Sequence, residues 1–548
     1  MKRILSFAVA ICMVLSVCFV SVSVFADNAE LQGNALPAFP GAEGGGKYTK
    51  GARGILDSGE GKLEVYHVTN LHSEGPGSFT DAISQSGRIV VFDVGGVIDV
   101  PSTVYINNDN ITILGQTAPG DGITLTGGDL RIGNGVKNVI IRYMRVRPTN
   151  KNGQEVDGLG GQWNSDIIID HCSTSWCVDE GLTLYAGSAE SDTYEQGKRL
   201  TVQNTITSES MRMSGHFKGA HGYGAIIGGT NATYYRNLFA HHDSRSPRLD
   251  RVLQNTDFRN NVVYNWGVTN SAYGGEPTSP HNKVINPSKV NYSNNYYKYG
   301  PSTVSGKRYR IYDFAKMAKV IDGVTYKSKF YMTDNYVVGS STVTNNNWSN
   351  DGTNSAADQV EKVDTPFSLG DDLYPDLNIT EGNILPGKDV MSNLLPDVGA
   401  TLPKRDATDA RVIADVLNQT GRIINNEEEV GGLSDIESSQ RTFEIPADWK
   451  AANGMGAGVA EADIVTSGVW AGYTWVEAYV NDWTEQQSVQ APTNPEIVVT
   501  SPVIASINST VDGQTVQKGN WTVIKDTDTL SYKASAKAAD GTNITKME

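Results

Sequence analysis

Four cationic side chains, Lys218, Arg245, Arg248 and Arg251, lie between His216 and Gly267 of a chain with 61 acidic and 45 Lys and Arg residues. Its formal net charge is −16. Local cations on an acidic background call for an anionic ligand. The runs H-F-K-G-A-H-G-Y-G at 216–224 and S-R-S-P-R-L-D-R at 244–251 are read as the floor of a groove for a polyanionic sugar chain. Arg245 is the residue expected to do chemistry there. Upstream, Asp157 in E-V-D-G-L-G and Asp179 with Glu180 in C-V-D-E-G offer the hard oxygen ligands that calcium takes. Taken singly, each of these acids reads first as a solvated loop carboxylate, and Arg248 has the alternative reading of a surface ion-pair partner. His216 and His221 are open between coil packing and a site role.

Something must bring these dispersed residues together. Strand-like runs recur from Ile111 onward: I-T-I-L, V-I-I-R-Y-M-R-V, I-I-I-D-H-C, L-T-V-Q-N-T-I, A-T-Y-Y-R-N-L-F, T-D-F-R-N-N-V-V, K-V-N-Y-S-N-N-Y-Y and S-K-F-Y-M-T-D-N-Y-V-V. A repeat of a few tens of residues means stacked units. No helical pattern of matching length separates the runs, so a βαβ sheet is disfavoured. His171, Asn204, Asn237, Asn261, Asn295 and Asn335 recur at like places in the runs. They are expected to stack at equivalent bends and hydrogen-bond along the axis. The fold expected is all-β: a right-handed parallel β-helix with a short C-terminal β-sandwich-like module.

Before the repeat, S-E-G-P-G-S-F-T-D-A-I reads as a turn and a short helix capped by Ser78. R-I-V-V-F-D-V-G-G-V-I at 88–98 reads as one buried strand. After it, D-A-R-V-I-A-D-V-L-N-Q-T-G-R is an amphipathic helix ending at Gly421, and W-A-G-Y-T-W-V-E-A-Y-V-N-D-W is a second candidate. Both are expected to cover an end or flank of the solenoid. The expected layout is a leader at 1–26, the β-helix with its covering segments at 27–484, a polar linker at 485–500 and a partial sandwich at 501–548. The last module stops at Glu548, short of a full sandwich, so a truncated module is expected.

Composition narrows the function classes. Lys2 and Arg3, an apolar run and Val24-Phe25-Ala26 form a secretory signal peptide, which predicts an extracellular protein with no membrane anchor after cleavage. An acidic surface repels phosphates, so nucleic acid is not an expected partner. Cys12 and Cys18 leave with the leader. Cys172 and Cys177 remain as a C-x4-C pair, read as buried thiols rather than a disulfide or zinc site. The glycine-rich entry at 38–54 lacks the G-K-[ST] of a phosphate loop. A monomer is expected.

The ordered set F-P-G-A-E-G-G-G-K-Y, V-V-F-D-V-G-G-V-I, G-Q-T-A-P-G-D-G-I-T, I-I-D-H-C-S-T-S-W, H-F-K-G-A-H-G-Y-G and R-S-P-R with N-N-V-V-Y-N-W-G resembles the pectate lyases of polysaccharide lyase family 1, in their bacterial F-P-G-A-E-G branch. The resemblance spans about residues 38 to 340. It implies calcium-dependent β-elimination of polygalacturonate, giving 4,5-unsaturated oligogalacturonides. It assigns Arg245 as the catalytic base and Lys218 as a ligand of a substrate carboxylate, and it makes Asp157, Asp179 and Glu180 the metal ligands. Two positions depart from the family pattern. Thr183 stands where a fourth acidic ligand is expected, and Asp250 replaces a second arginine, whose substrate-binding role passes to Arg248 or Arg251. The chemistry is independently reasonable. The proton α to a carboxylate is acidic enough to remove only when nearby cations neutralise that carboxylate and the enolate-like charge that develops. Two other readings compete. A polygalacturonase-type hydrolase needs an acid and a base, usually paired carboxylates, and its N-T-D, D-D and G-H-G runs are missing. A non-catalytic carbohydrate-binding β-helix is permitted by fold alone.

Overall fold

The computed structural model describes residues 35–490, except 60, 187–196, 252, 268–270, 279–284, 350–355 and 434–435, and short strands between 497 and 544. The expected leader lies outside the described residues. Among the described residues no helix is long and apolar enough to cross a membrane.

Three long sheets of eleven, seven and ten strands wind around one axis. In the first, Lys137–Arg142, Ser165–Asp170, Lys198–Gln203, Thr230–Tyr235 and Gln254–Arg259 lie side by side in parallel register. Neighbours in each sheet come from successive turns of the chain, so every turn is one coil. This is the parallel β-helix expected from the repeat. One coil cannot bury its own apolar face, and stacking does so. Ile113, Ile141, Ile169, Val202, Tyr234, Phe258, Tyr292 and Met332 are register partners on consecutive coils and form one continuous buried column. The run at 88–98 is two strands rather than one. Arg88–Phe92 joins the first sheet and Val94–Asp99 the third, because the chain turns a corner at Asp93. Ser78 caps the short helix Phe79–Ala82 by accepting from the Asp81 N–H.

The corners explain the recurring polar residues. Tyr143, His171, Asn204, Arg236, Asn260, Asn294 and Asp334 all have φ between 49° and 57°, the left-handed region that Asn and Asp tolerate best. The ladder stands one residue later. Asn237, Asn261, Asn295, Asn335 and Asn347 each pass a side-chain amide to the next at 2.8–3.1 Å. Asn237 Oδ1 also accepts the Thr205 N–H at 2.9 Å. His171 and Asn204, expected in this ladder, are corner residues instead, and Cys172 and Thr205 hold the ladder position on their coils. A residue in the left-handed corner points its side chain out of the coil, so it cannot join an internal stack. His171 bonds Asp170 at 2.8 Å and Asp397 at 3.1 Å.

Two helices cover the flanks. Ala407–Asn418, capped by Asp406, buries Val412, Ile413 and Val416 against Ile206, Leu238 and Val262 of the third sheet. Trp475–Gln490 brings Trp475, Val476 and Val480 onto Ala52, Ile89 and Val91. The chain divides into two compact units at Glu485/Gln486. In the second, Ile497–Val498, Thr522–Lys525, Tyr532–Lys537 and Asn543–Ile544 form one antiparallel sheet, with a separate two-stranded ladder at Thr510–Val511 and Gln514–Thr515. Cys172 and Cys177 are free, buried thiols, as the sequence reading favoured.

Candidate active site

The seven-stranded sheet positions the site. Its strands include Leu130–Ile132, Leu159–Gln162, Glu180–Tyr185, Tyr223–Gly228, Arg248–Leu249 and Tyr273–Gly274. The functional side chains sit where these strands begin. Coil by coil they are Asp129, Asp157, Asp179 with Glu180, Tyr223, and Arg245. The hydrogen bonds Gly158 N–H to Glu180 O and Tyr223 N–H to Asp179 O hold this alignment at 2.9 and 3.2 Å. Residues separated by scores of positions in the chain thereby become vertical neighbours.

Oxygens of Asp157, Asp179 and Glu180 all lie within 4.8 Å of one another, so the three expected metal ligands converge. Asp157 is buried and its Oδ1 accepts the Glu180 N–H at 3.2 Å. Its other oxygen pairs with Arg131, whose Nε also bonds Asp129 at 2.8 Å. Burial, helped by the neighbouring Asp179 and Asp129 and opposed by Arg131, pushes the Asp157 carboxyl up to about 7. Asp179 Oδ1 and Asp129 Oδ1 are buried without a hydrogen-bond partner. An all-oxygen donor set with orphaned, buried lone pairs fits a hard divalent cation of the calcium type.

Glu180 also forms an ion pair with Arg245. The Arg245 guanidinium lies 4.1 Å from the Tyr223 ring centroid, and its Nε donates to the Tyr273 hydroxyl at 3.2 Å. Its carbonyl accepts the Ala225 N–H at 2.6 Å, which fixes the backbone at φ 60°. Arg245 is thus anchored on three sides beside the acid cluster.

The other expected cations divide. Lys218 is exposed, 5.0 Å from the Phe217 ring centroid, and makes no ion pair among the described residues. Arg248 and Arg251 both face Glu276 Oε2, at 3.7 and 3.6 Å, and Arg248 lies over Tyr273. Asp250 is buried, and burial pushes its carboxyl up to about 6. Sequence reasoning missed Arg131, Asp129, Tyr223, Tyr273 and Glu276. The signal for Asp129 was present, since D-L-R precedes E-V-D-G by one coil length.

No family model matches the chain. Curated relatives do. A protein named probable pectate lyase C from Emericella nidulans is 31% identical over 457 residues, covering 82% of this chain and 93% of that one. Its namesake from Aspergillus terreus is 32% identical over 456 residues, covering 82% and 94%. The chain belongs to the pectate lyase family. Among solved structures, the thermostable pectate lyase PL 47 aligns with TM-score 0.42 and 16% identity over 66% of this chain and 97% of its own. Jun a 1, the major cedar pollen allergen, aligns with TM-score 0.43 and 16% identity over 65% and 92%. As a pectate lyase family member this chain is an enzyme of the lyase class. The flank that carries Arg245 and the acid cluster is its candidate active site.

Proposed function

We propose that the protein is a secreted, calcium-dependent lyase that cleaves α-1,4-polygalacturonate by β-elimination and leaves 4,5-unsaturated ends. The observation that carries this reading is the contact between Glu180 of the acid cluster and Arg245. It puts a guanidinium and a cation-binding carboxylate set on one flank of the coil. The curated relatives' names point to the same polymer.

The residues divide the work as follows. Asp157, Asp179 and Glu180 would hold calcium. Bound there, calcium supplies charge neutralisation of the uronate carboxylate, which makes the C5 proton easier to remove. Lys218, exposed at the loop tip, pairs with a second uronate carboxylate. Arg248 and Arg251, sharing the one Glu276 carboxylate, leave net positive charge for a third. Arg245 is the base. As a neutral guanidine it takes the C5 proton, the C5–H electrons form the C4–C5 double bond, and the C4–O bond breaks. The leaving oxygen takes a proton from solvent. Arginine is charged in ordinary surroundings, and Glu180 pairs with that charged form. The base role therefore requires Glu180 to turn from Arg245 towards the acid cluster.

Incubation with polygalacturonate tests the reading. The expected result is growth of near-ultraviolet absorbance from unsaturated ends, stopped by a calcium chelator and restored by calcium. Reducing ends without that absorbance would mean hydrolysis. Binding without cleavage would mean a non-catalytic role.

A further inference from the structure

His216 and His221 lie outside the machinery described so far, yet both are buried against it, each 5% exposed. Their rings stack in parallel, with centroids 3.6 Å apart and planes at 6°. Both present Nε2 to the same carboxylate. His216 Nε2 is 3.3 Å from Asp179 Oδ2, and His221 Nε2 is 3.7 Å from Asp179 Oδ1. His216 Nε2 also faces Glu155 Oε2 at 3.7 Å.

The tautomer of His216 follows from its other nitrogen. The Lys218 backbone N–H donates to His216 Nδ1 at 3.1 Å. Nδ1 must then carry a lone pair, so the ring proton of the neutral imidazole is on Nε2. His216 therefore presents an N–H to Asp179 at ion-pair distance. It is poorly suited to bind a metal itself, because Nε2 carries the proton. Its Nε2 lies 3.3 Å from Oδ2 and limits the rotation of the Asp179 carboxylate, while Oδ1 stays buried without a hydrogen-bond partner beside Asp157 and Glu180. A cation's carboxylate ligands are commonly oriented by polar groups standing behind them.

The same ring touches the substrate side of the site. A single path runs from the Lys218 N–H through the imidazole to Asp179. Phe217 closes the turn, donating its N–H to Glu155 Oε1 at 2.5 Å and stacking on His216 at 5.0 Å. The loop tip that presents Lys218 is tied through one imidazole to the carboxylate that would face calcium.

We infer that His216 is a positioning residue that aims Asp179 at a divalent cation and couples that cation to the order of the Lys218 loop, with His221 backing the second oxygen. This rests on the calcium reading above. It goes further by giving a role to two residues that neither the family resemblance nor the acid cluster assigns.

Calcium binding to the full chain without substrate, followed by titration calorimetry, tests it. His216→Phe keeps the ring stack and volume but removes the donor. His216→Gln keeps a donor near the Nε2 position. The expected result is calcium affinity about 10- to 100-fold weaker in His216→Phe, the range seen when groups supporting a metal ligand are removed. His216→Gln should stay within a few-fold of wild type. A purely structural role would treat the two substitutions alike in affinity and in thermal midpoint. Wild-type calcium affinity in a folded His216→Phe would overturn the inference and leave the calcium reading standing. Absence of calcium binding in the wild type would remove both. If near-ultraviolet circular dichroism shows His216→Phe unfolded, His221→Phe takes its place: weakened calcium affinity supports the inference, and unchanged affinity overturns it.

Discussion

Glu180 and Arg245 form a largely buried ion pair across two coils of the solenoid, with the Tyr223 coil between them. The pair joins the acid cluster to the proposed base, so the two halves of the candidate site are one electrostatic unit. Arg245→Ala should leave the fold intact, because the surrounding coils are held by backbone ladders. It should lower kcat by about 10²- to 10⁴-fold, the usual contribution of a positioned base. Activity near wild type on polygalacturonate would remove Arg245 from that role.

The asparagine ladder predicts a stability effect with no effect on chemistry. Asn261 accepts from Asn237, donates to the Tyr234 carbonyl and to Asn295, and is fully buried. Asn261→Ala leaves the Asn237 backbone N–H without an acceptor in a dry interior, while the Asn237 amide keeps only the Val202 carbonyl. A loss of about 1–3 kcal/mol is expected from each such group. Urea unfolding monitored by circular dichroism reads it. A midpoint equal to wild type would mean the ladder is decorative.

His171 predicts a pH dependence. Burial alone would lower its pKa, but Asp170 and Asp397 outweigh burial and raise it to about 9. The folded value is above the unfolded one, near 6.5. The contribution to stability is thus complete below about pH 6.5 and is lost as pH rises through about 9. Thermal melts should show the protein weakening over that window by about 3 kcal/mol. His171→Gln should flatten this slope. Equal slopes in the two proteins would count against the ion-paired imidazole.

The thiols predict inertness. Burial pushes Cys172 up to about 12 and Cys177 well above the ordinary range. A thiol-reactive dye should leave both untouched in the native protein and modify both after denaturation, because the thiolate is the reactive form. Rapid native labelling would show that the coil opens at this point.

Much of this molecule was legible in its sequence, for physical reasons that also mark where reading stopped. The β-helix followed from repeated apolar runs, because each coil must bury the same face. Asp157, Asp179, Glu180 and Arg245 were singled out because carboxylates and guanidinium have distinctive chemistry and stood in recognisable runs. Their convergence, which the geometry shows, depends on coil register. Register also explains the errors. The ladder was placed one residue early at His171 and Asn204, where a polar corner residue and a polar ladder residue look alike without backbone angles. Arg131 escaped notice because nothing in D-L-R says which carboxylate it will meet a coil later. His216 looked equally like packing, since its role lies in which nitrogen bears the proton.

The intervening Tyr223 coil has one more consequence. Neighbouring strands in a sheet are spaced by about 4.8 Å, so the interval between Glu180 and the backbone at Ser244 is two such steps. That interval is a ruler cut by the backbone, and no side-chain substitution can alter it. Excising one whole turn from the stack would bring Arg245 and the acids a step closer, while point changes elsewhere would leave their separation untouched. Reach between the two halves of the site is inherited from the count of turns.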